Sequence, residues 1–356
     1  MKVTTYLGTY TDEKKAGIHI LEIDTDTGAL CPVSVVTGIE NPTYLALSKT
    51  RPILYAVQGV PQYGASDRYG AVAAYRITTD TLTLINHRPV RATVPCHIAL
   101  NPDETCLAFA EYTHAVAGVF DLAGDGALAE TPPATVTHVG SGPDKSRQQK
   151  AHAHCATFTP DGRFLCITDL GSDRVVAYNM AERSNGLKPV DALAITCMGG
   201  AGPRHLIFHP NGKFAYLLHE LDNTLTAFRF TGDAFVRLQT VTTVPVDCTR
   251  AQSKASALKF SADARRLLAS NRGHDSIATF DVDPDNGHIE LLALSALAGS
   301  FPRDFAFVPG EAFIVVGHET SNTVCTYAYD AASGRITPAC GPYAAHRPVC
   351  VLIQSP

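Results

Sequence analysis

Along the chain, short apolar runs alternate with polar turns in a phrase that returns six times. It consists of an apolar run, a turn at Pro-Asp/Asn-Gly, a second apolar run, a polar turn and a third run. It is clearest as HCATFTPDGRFLCITDLGSDRVVAY from His154 and RHLIFHPNGKFAYLLHELDNTLTAF from Arg204. Weaker copies are TYLALSKTRPILYAVQGV from Thr43, CHIALNPDETCLAFAEYTHAVAGVF from Cys96, SALKFSADARRLLASNRGHDSIATF from Ser256 and RDFAFVPGEAFIVVGHETSNTVCTY from Arg303. The spacing of about 50 residues is that of propeller blades. Each run is rich in Val, Ile, Leu, Phe, Tyr and Thr, as strands are. A doubly wound α/β fold needs helical crossovers, and no segment has that periodicity.

A seventh copy is divided between the ends. PVCVLIQSP from Pro348 matches only a first strand, and residues 3–35 supply VTTYLGTY, GIHILEID and the strand after TGAL. Joining the two ends closes a ring and removes its open sheet edges. Dividing 356 residues by seven gives about 51 per blade. The expectation is an all-β, seven-bladed β-propeller forming a single domain over residues 1–356, with the last blade closed by the N- and C-terminal strands. Trp is absent, so there is no WD dipeptide.

The first two strands of a blade form a hairpin whose turn is the PDG-like segment, as at Pro160-Asp161-Gly162. The start of the first strand and the end of the second therefore lie at one end of the blade. Starts supply His97, His152, His154, Arg204, His205, Ser256, Arg303 and Asp304. Ends supply Gln58, Glu111, Asp169, His219, Glu220, Asn271, Arg272, His318 and Glu319. The opposite mouth receives only turn residues. Charged and imidazole groups are thus expected on one rim, although any single one could simply solvate a strand end. Two long insertions, VPQYGASDRYG and GSGPDKSRQQKAH, should rise over the same face.

Composition limits the choices. A content of 45% hydrophobic and 18% charged residues describes an ordinary globular chain. A net charge of -5 gives no reason to expect nucleic acid or an anionic membrane as partner. The opening MKVTTYLGTYTDEKK turns polar after Leu7 and has no secretory h-region, so a cytoplasmic protein is expected. Ten cysteines are scattered without a CxxC pair and read as reduced, mostly packing residues.

No GxSxG elbow and no phosphate-binding Gly-rich loop is present. The His152–His154 pair is compatible with a metal, but HxH is unspecific and no third ligand stands at diagnostic spacing, so neither metal nor cofactor is expected. What remains is Arg, Glu and His. Arg204, Arg272 and Arg303 suit a carboxylate or phosphate. Glu220 or His154 could deprotonate water beside an oxyanion-stabilising Arg. That equipment suits ester or lactone hydrolysis without a covalent intermediate.

The runs HAHCATFTPDGRFLCITDLGSDRV, GAGPRHLIFHPNGKFAYLLHELDNTLTAF and FPRDFAFVPGEAFIVVGHETSNTV resemble the propeller-type lactonase family, which includes bacterial 6-phosphogluconolactonases and the similar fungal carboxy-cis,cis-muconate cyclases. The resemblance extends from TYLGTYT through the divided last blade, and GPRH…HPNGKFAY…HEL is its most specific segment. It implies a catalytic set of His154, Arg204, Glu220 and Arg272, with His97, His152, His205, Arg303 and Glu319 around the substrate. Gln58 stands where the family more often has Glu. The resemblance implies hydrolysis of a small anionic sugar-acid lactone, with 6-phosphogluconolactone foremost. Lactone-forming cycloisomerisation of a muconate-type dicarboxylate and a non-catalytic ligand- or protein-binding propeller are the alternatives.

Overall fold

The computed structural model describes residues 1–11, 17–61, 68–90 and 92–354. Strands β1 (Lys2–Thr9), β2 (Ile18–Asp24) and β3 (Leu30–Val36) open the chain. The next sheet holds β4 (Leu45–Leu47), β5 (Ile53–Pro61), β6 (Arg68–Ile77) and β7 (Leu82–Pro89). It is followed by β8 (His97–Leu100), β9 (Cys106–Glu111), β10 (Val116–Asp121) and β11 (Ala134–Thr137). The third set is β12 (Ala153–Phe158), β13 (Phe164–Asp169), β14 (Arg174–Asn179) and the two-residue β15 (Ile195–Thr196). Then come β16 (Pro203–Phe208), β17 (Phe214–His219), β18 (Thr224–Phe230) and β19 (Phe235–Thr242). The fifth set is β20 (Lys254–Phe260), β21 (Arg266–Arg272), β22 (Ser276–Val282) and β23 (Ile289–Ala296). The sixth is β24 (Pro302–Phe307), β25 (Phe313–His318), β26 (Thr323–Asp330) and β27 (Arg335–Ala344). The last strand, β28 (Pro348–Ile353), pairs antiparallel with β1, giving the order β28-β1-β2-β3. The fold is a seven-bladed β-propeller, and its seventh sheet is assembled from both chain ends as the repeat predicts.

Burial follows position within a sheet. Second strands such as β9 and β17 are buried along their whole length, because sheets cover them on both faces. Fourth strands such as β7 and β19 are largely exposed. In five of the six copies the first hairpin turn holds a residue at positive φ at the position of Gly162; the copy from Thr43 has none. Gly162 and Gly212 fill it in the clear copies, and Glu104, Ala264 and Glu311 fill it in the other three. Glycine adopts this conformation freely, whereas side chains there need compensation. Glu104 receives it from Ser48, Lys49 and Thr50, which all donate to its carboxylate.

By the density of its contacts the chain divides into two units, one of Met1–Thr43, Glu220–Ala227 and Leu238–Pro356, the other of Tyr44–His219 and Phe228–Arg237. In the Tyr44–His219 unit, apolar clusters form between successive sheets, for example Phe109, Phe120 and Tyr55 in one and Leu206, Leu217 and Phe228 in another. In the other unit, Leu7, Leu21, Val315 and Val351 make one cluster and Phe305, Val316 and Tyr327 a second. None of the ten cysteines is in a disulfide; Cys106, Cys155, Cys166 and Cys350 are buried, while Cys31 is exposed on an outer strand. Of the two insertions, residues 62–67 lie outside the described residues, and what precedes and follows them prolongs the β5–β6 ladder as far as Pro61 and Arg68. The GSGPDKSRQQKAH insertion is tied down. Its buried Gln148 donates to the Leu170 carbonyl and to Asp173 Oδ1, both at 2.8 Å.

Candidate active site

The registers put strand starts opposite strand ends as expected, with Ala153 paired to Asp169, Pro203 to His219 and Pro302 to His318. At the same place in each of these three pairs the register slips by one residue. The extra residues are His154, Arg204 and Arg303. A β-bulge re-aims the side chain it inserts, and here it does so to three residues singled out by the sequence. A hydroxyl from the preceding sheet fixes the bulge carbonyl in two cases: Thr168 donates to Arg204 O at 2.9 Å and Ser256 to Arg303 O at 2.7 Å.

In the Tyr44–His219 unit the bulges gather an imidazole cluster. Arg204 Nη1 donates to His205 Nε2 at 2.8 Å, which requires that ring nitrogen to be unprotonated. The His154 ring meets His205 and Tyr112 edge-on, each with centroids 5.8 Å apart. His152 stacks face to face on Tyr112 at 4.2 Å and donates from Nδ1 to the Tyr112 carbonyl. The bulge at His154 separates the two histidines of the HAH run, and both meet the same tyrosine. His97 lies behind His205, with centroids 5.6 Å apart, under the Tyr44 ring. Its Nδ1 accepts the Ala156 N–H and its Nε2 faces Cys155 Sγ at 3.4 Å. Burial, with the Arg204 charge adding to it, pushes the His97 pKa down to about 3, so the ring is neutral.

In the other unit the cluster is ionic. Glu220 and Arg272 form an ion pair at 2.8 Å, with side chains only 4% and 5% exposed. Arg272 also donates to the carbonyls of Lys254 and Ala255, and the Phe301 ring lies 5.3 Å from its guanidinium carbon. Phe301 has φ 64°, a strained setting for a bulky side chain. Its N–H donates to Asp275 Oδ1 at 2.7 Å, and its carbonyl accepts the Glu319 N–H at 3.0 Å. Glu319 in turn takes Arg303 Nη1 at 3.1 Å and Arg347 Nη2 at 2.6 Å. Burial raises the Glu319 pKa, but the two guanidiniums outweigh it and hold the carboxyl below its ordinary value.

Several residues placed on the rim by sequence serve instead as ties. Glu111 accepts the N–H groups of Thr113 and His114, and Asp169 those of His152, Gly171 and Ser172. Asn271 joins Thr243 to Ser276, His318 bonds Tyr327, Gln58 takes the Tyr75 hydroxyl, and Asp304 holds the Val351 N–H and pairs with Lys259. The physical reason is alternation: the last residue of a second strand turns into its blade, and the next one turns the other way. That column holds Tyr112, Leu170, Glu220, Arg272 and Glu319 in successive blades, Arg272 being itself the last residue of β21. Sequence reasoning gave Tyr112 no catalytic or substrate-binding role, although its ring meets both His152 and His154. It also missed Tyr10, Phe301 and Arg347, which come from connections with no repeat pattern. Among the described residues no group of three or more His, Cys, Asp or Glu is arranged to hold a metal ion.

A seven-bladed propeller whose last sheet is assembled from both chain ends defines a fold class, and comparison with known proteins gives the family. Residues 4–353 match the family described as Lactonase, 7-bladed beta-propeller, and the chain belongs to that family. It is 34% identical over 354 residues to the 6-phosphogluconolactonase of Bacillus subtilis (strain 168), covering 98% of each chain. The structure named as the periplasmic gluconolactonase PpgL of Pseudomonas aeruginosa superposes with a TM-score of 0.91 at 30% identity, over 100% of this chain and 99% of that one. A protein from Lactobacillus plantarum superposes at 0.89 with 34% identity over 100% of both chains. Membership of this family makes the chain a lactone hydrolase.

Proposed function

We propose that the chain hydrolyses a sugar-acid lactone in the cytoplasm, with 6-phosphogluconolactone as substrate, and that His154, Arg204, Glu220 and Arg272 carry the reaction. The observation that supports this most is the adjacency of a bulged imidazole, His154, to the Arg204–His205 pair. It sets a proton acceptor beside a cation, which are the two requirements of water attack on an ester carbonyl. In this reading His154 takes a proton from the attacking water. The carbonyl oxygen gains charge as the tetrahedral intermediate forms, and guanidinium groups stabilise it. Glu220 spends its carboxylate on Arg272, so its role is to hold that guanidinium in place. The protonated imidazole then returns its proton to the ring oxygen as the ester bond breaks. Since every proton moves between water, imidazole and product, the scheme needs no cofactor.

The test is acid release from freshly generated 6-phosphoglucono-δ-lactone, corrected for spontaneous hydrolysis, beside unphosphorylated gluconolactone and the Arg272→Ala variant. Enzyme-dependent release that prefers the phosphorylated lactone and collapses in the variant is the expected result. No acceleration over the blank would remove the sugar-phosphate assignment and turn attention to muconate-type dicarboxylates.

A further inference from the structure

Tyr10, Arg303, Glu319 and Arg347 form a second charged group next to the Glu220–Arg272 pair, and the sequence assigns no role to Tyr10 or Arg347. Both guanidiniums lie against one phenol ring, Arg347 at 4.3 Å and Arg303 at 5.6 Å from its centroid. Both point at the one carboxylate of Glu319. The backbone fixes the arrangement: Tyr10 N–H donates to the Arg347 carbonyl at 3.2 Å, and Arg347 N–H to Asn322 Oδ1 at 2.9 Å. Two cations share one anion, so the group carries a net charge of +1.

An arginine has five N–H donors. Among the described residues, the Arg303 and Arg347 side chains each give one hydrogen bond, to Glu319. Arg303 is only 21% exposed, so water does not freely solvate its remaining donors, whereas Arg347 at 46% is open on one side. A sheltered guanidinium with unused donors beside an open one is an unfinished anion site, because a charge removed from water needs compensating partners. Stacking on Tyr10 keeps both planes oriented, and planar forks of this kind favour anions with several acceptor oxygens.

We propose that Arg303 and Arg347, stacked on Tyr10 and spaced by Glu319, bind a phosphate monoester, and that this is the phosphate of the substrate. Glu319 already supplies the carboxylate that two guanidiniums can share; a dianion with three terminal oxygens matches what is left. Phe301 links this group to the reacting one, since its ring lies over Arg272 and its carbonyl holds the Glu319 N–H. The substrate assignment rests on the lactonase reading above, whereas the anion site itself does not.

The experiment has two arms. In the first, the ratio of kcat/KM for phosphorylated over unphosphorylated gluconolactone is measured for the wild type, Arg347→Ala and Arg347→Lys. The ratio should fall about 10- to 100-fold in Arg347→Ala, as expected for losing a charge-assisted hydrogen bond, and by less in Arg347→Lys. In the second, inorganic phosphate is titrated calorimetrically into the wild type and Arg347→Ala, with acetate as the carboxylate control. Saturable phosphate binding that acetate does not match and that the variant loses supports the site even if neither lactone is turned over; in that case only the lactonase reading fails. An unchanged ratio in active enzyme, or no difference between wild type and variant in phosphate binding, would overturn the proposal. Equal binding of acetate and phosphate would overturn the phosphate assignment in favour of a carboxylate ligand.

Discussion

The two clusters occupy equivalent positions of one repeat and yet differ in kind. Around His154 and Arg204, one guanidinium stands among imidazoles, and the rings meet edge to face. Around Arg272 and Arg303, three guanidiniums and two carboxylates are locked into pairs. A one-residue bulge presents His154 and Arg204 in one and Arg303 in the other, so the scaffold determines where a side chain is presented and the sequence of each blade determines what is presented. The titratable cluster suits proton transfer, and the ionic cluster suits holding an anion or a developing negative charge.

The largest effect is expected in the titratable cluster. His154→Gln should lower kcat by about 10²- to 10⁴-fold with little change in thermal stability, as loss of a general base does. Steady-state kinetics beside a melting curve would check both. An activity loss no larger than that of His152→Gln would break the assignment of the two clusters.

In the ionic cluster, Arg272→Ala should cost about 10²- to 10³-fold in kcat/KM and also destabilise the protein by about 3–5 kcal/mol, because Glu220 is left buried without its cation. The double variant Glu220→Gln with Arg272→Ala should recover much of the stability and none of the activity. Denaturant unfolding of the three proteins checks this. Stability and activity recovering together would show that the pair is only structural.

Acid should probe a third effect. Burial pushes His97 down to about 3, with Arg204 adding to it, and pushes His219 and His318 down to about 4. Their ordinary value is near 6.5, so the unfolded chain takes up protons there while the folded chain does not. Stability from these groups is therefore complete above pH 6.5 and is lost as the pH falls towards about 4, by about 1.4 kcal/mol per pH unit for each histidine. Melting temperatures between pH 7 and pH 4.5 should fall accordingly, and His318→Gln should reduce the slope. A flat profile would contradict the neutral, buried state of these rings.

The smallest effects compare the two bulge ties directly. Thr168→Val removes the hydroxyl that holds Arg204 O, and Ser256→Ala removes the one that holds Arg303 O. Each should cost about 1 kcal/mol of stability. Thr168→Val should raise the pH midpoint or lower kcat through its effect on Arg204, while Ser256→Ala should act on KM. The opposite assignment would exchange the roles of the two clusters.

Much of this was legible in the sequence because of how a propeller blade is buried. Second strands such as LCITD and AYLLH are covered on both faces and read as unbroken apolar runs, and the hairpin glycines mark the clear copies. Fourth strands escaped the repeat because they are half-exposed, and β15 is only two residues long. The strand-end argument found the columns that hold His154, Arg204, Glu220 and Arg272. It merged two adjacent residues that face opposite ways, so Glu111 and Asp169 were placed on the rim together with Glu220. Arg347 and Tyr10 leave no trace in the repeat, since the closing connection occurs once in the chain. Only the folded backbone brings them to Glu319.

The divided sheet also has a consequence in time. Thr5 pairs with Ile353, which lies almost 350 residues further along the chain. At about 5–20 residues per second, β1 leaves the ribosome with one edge unpaired for tens of seconds before its partner exists. A nascent chain therefore carries an open strand edge until β28 has been made, and seals it in a step of very high contact order. Translation that stalls short of Pro348 would release a chain with that edge still exposed to any other strand it meets.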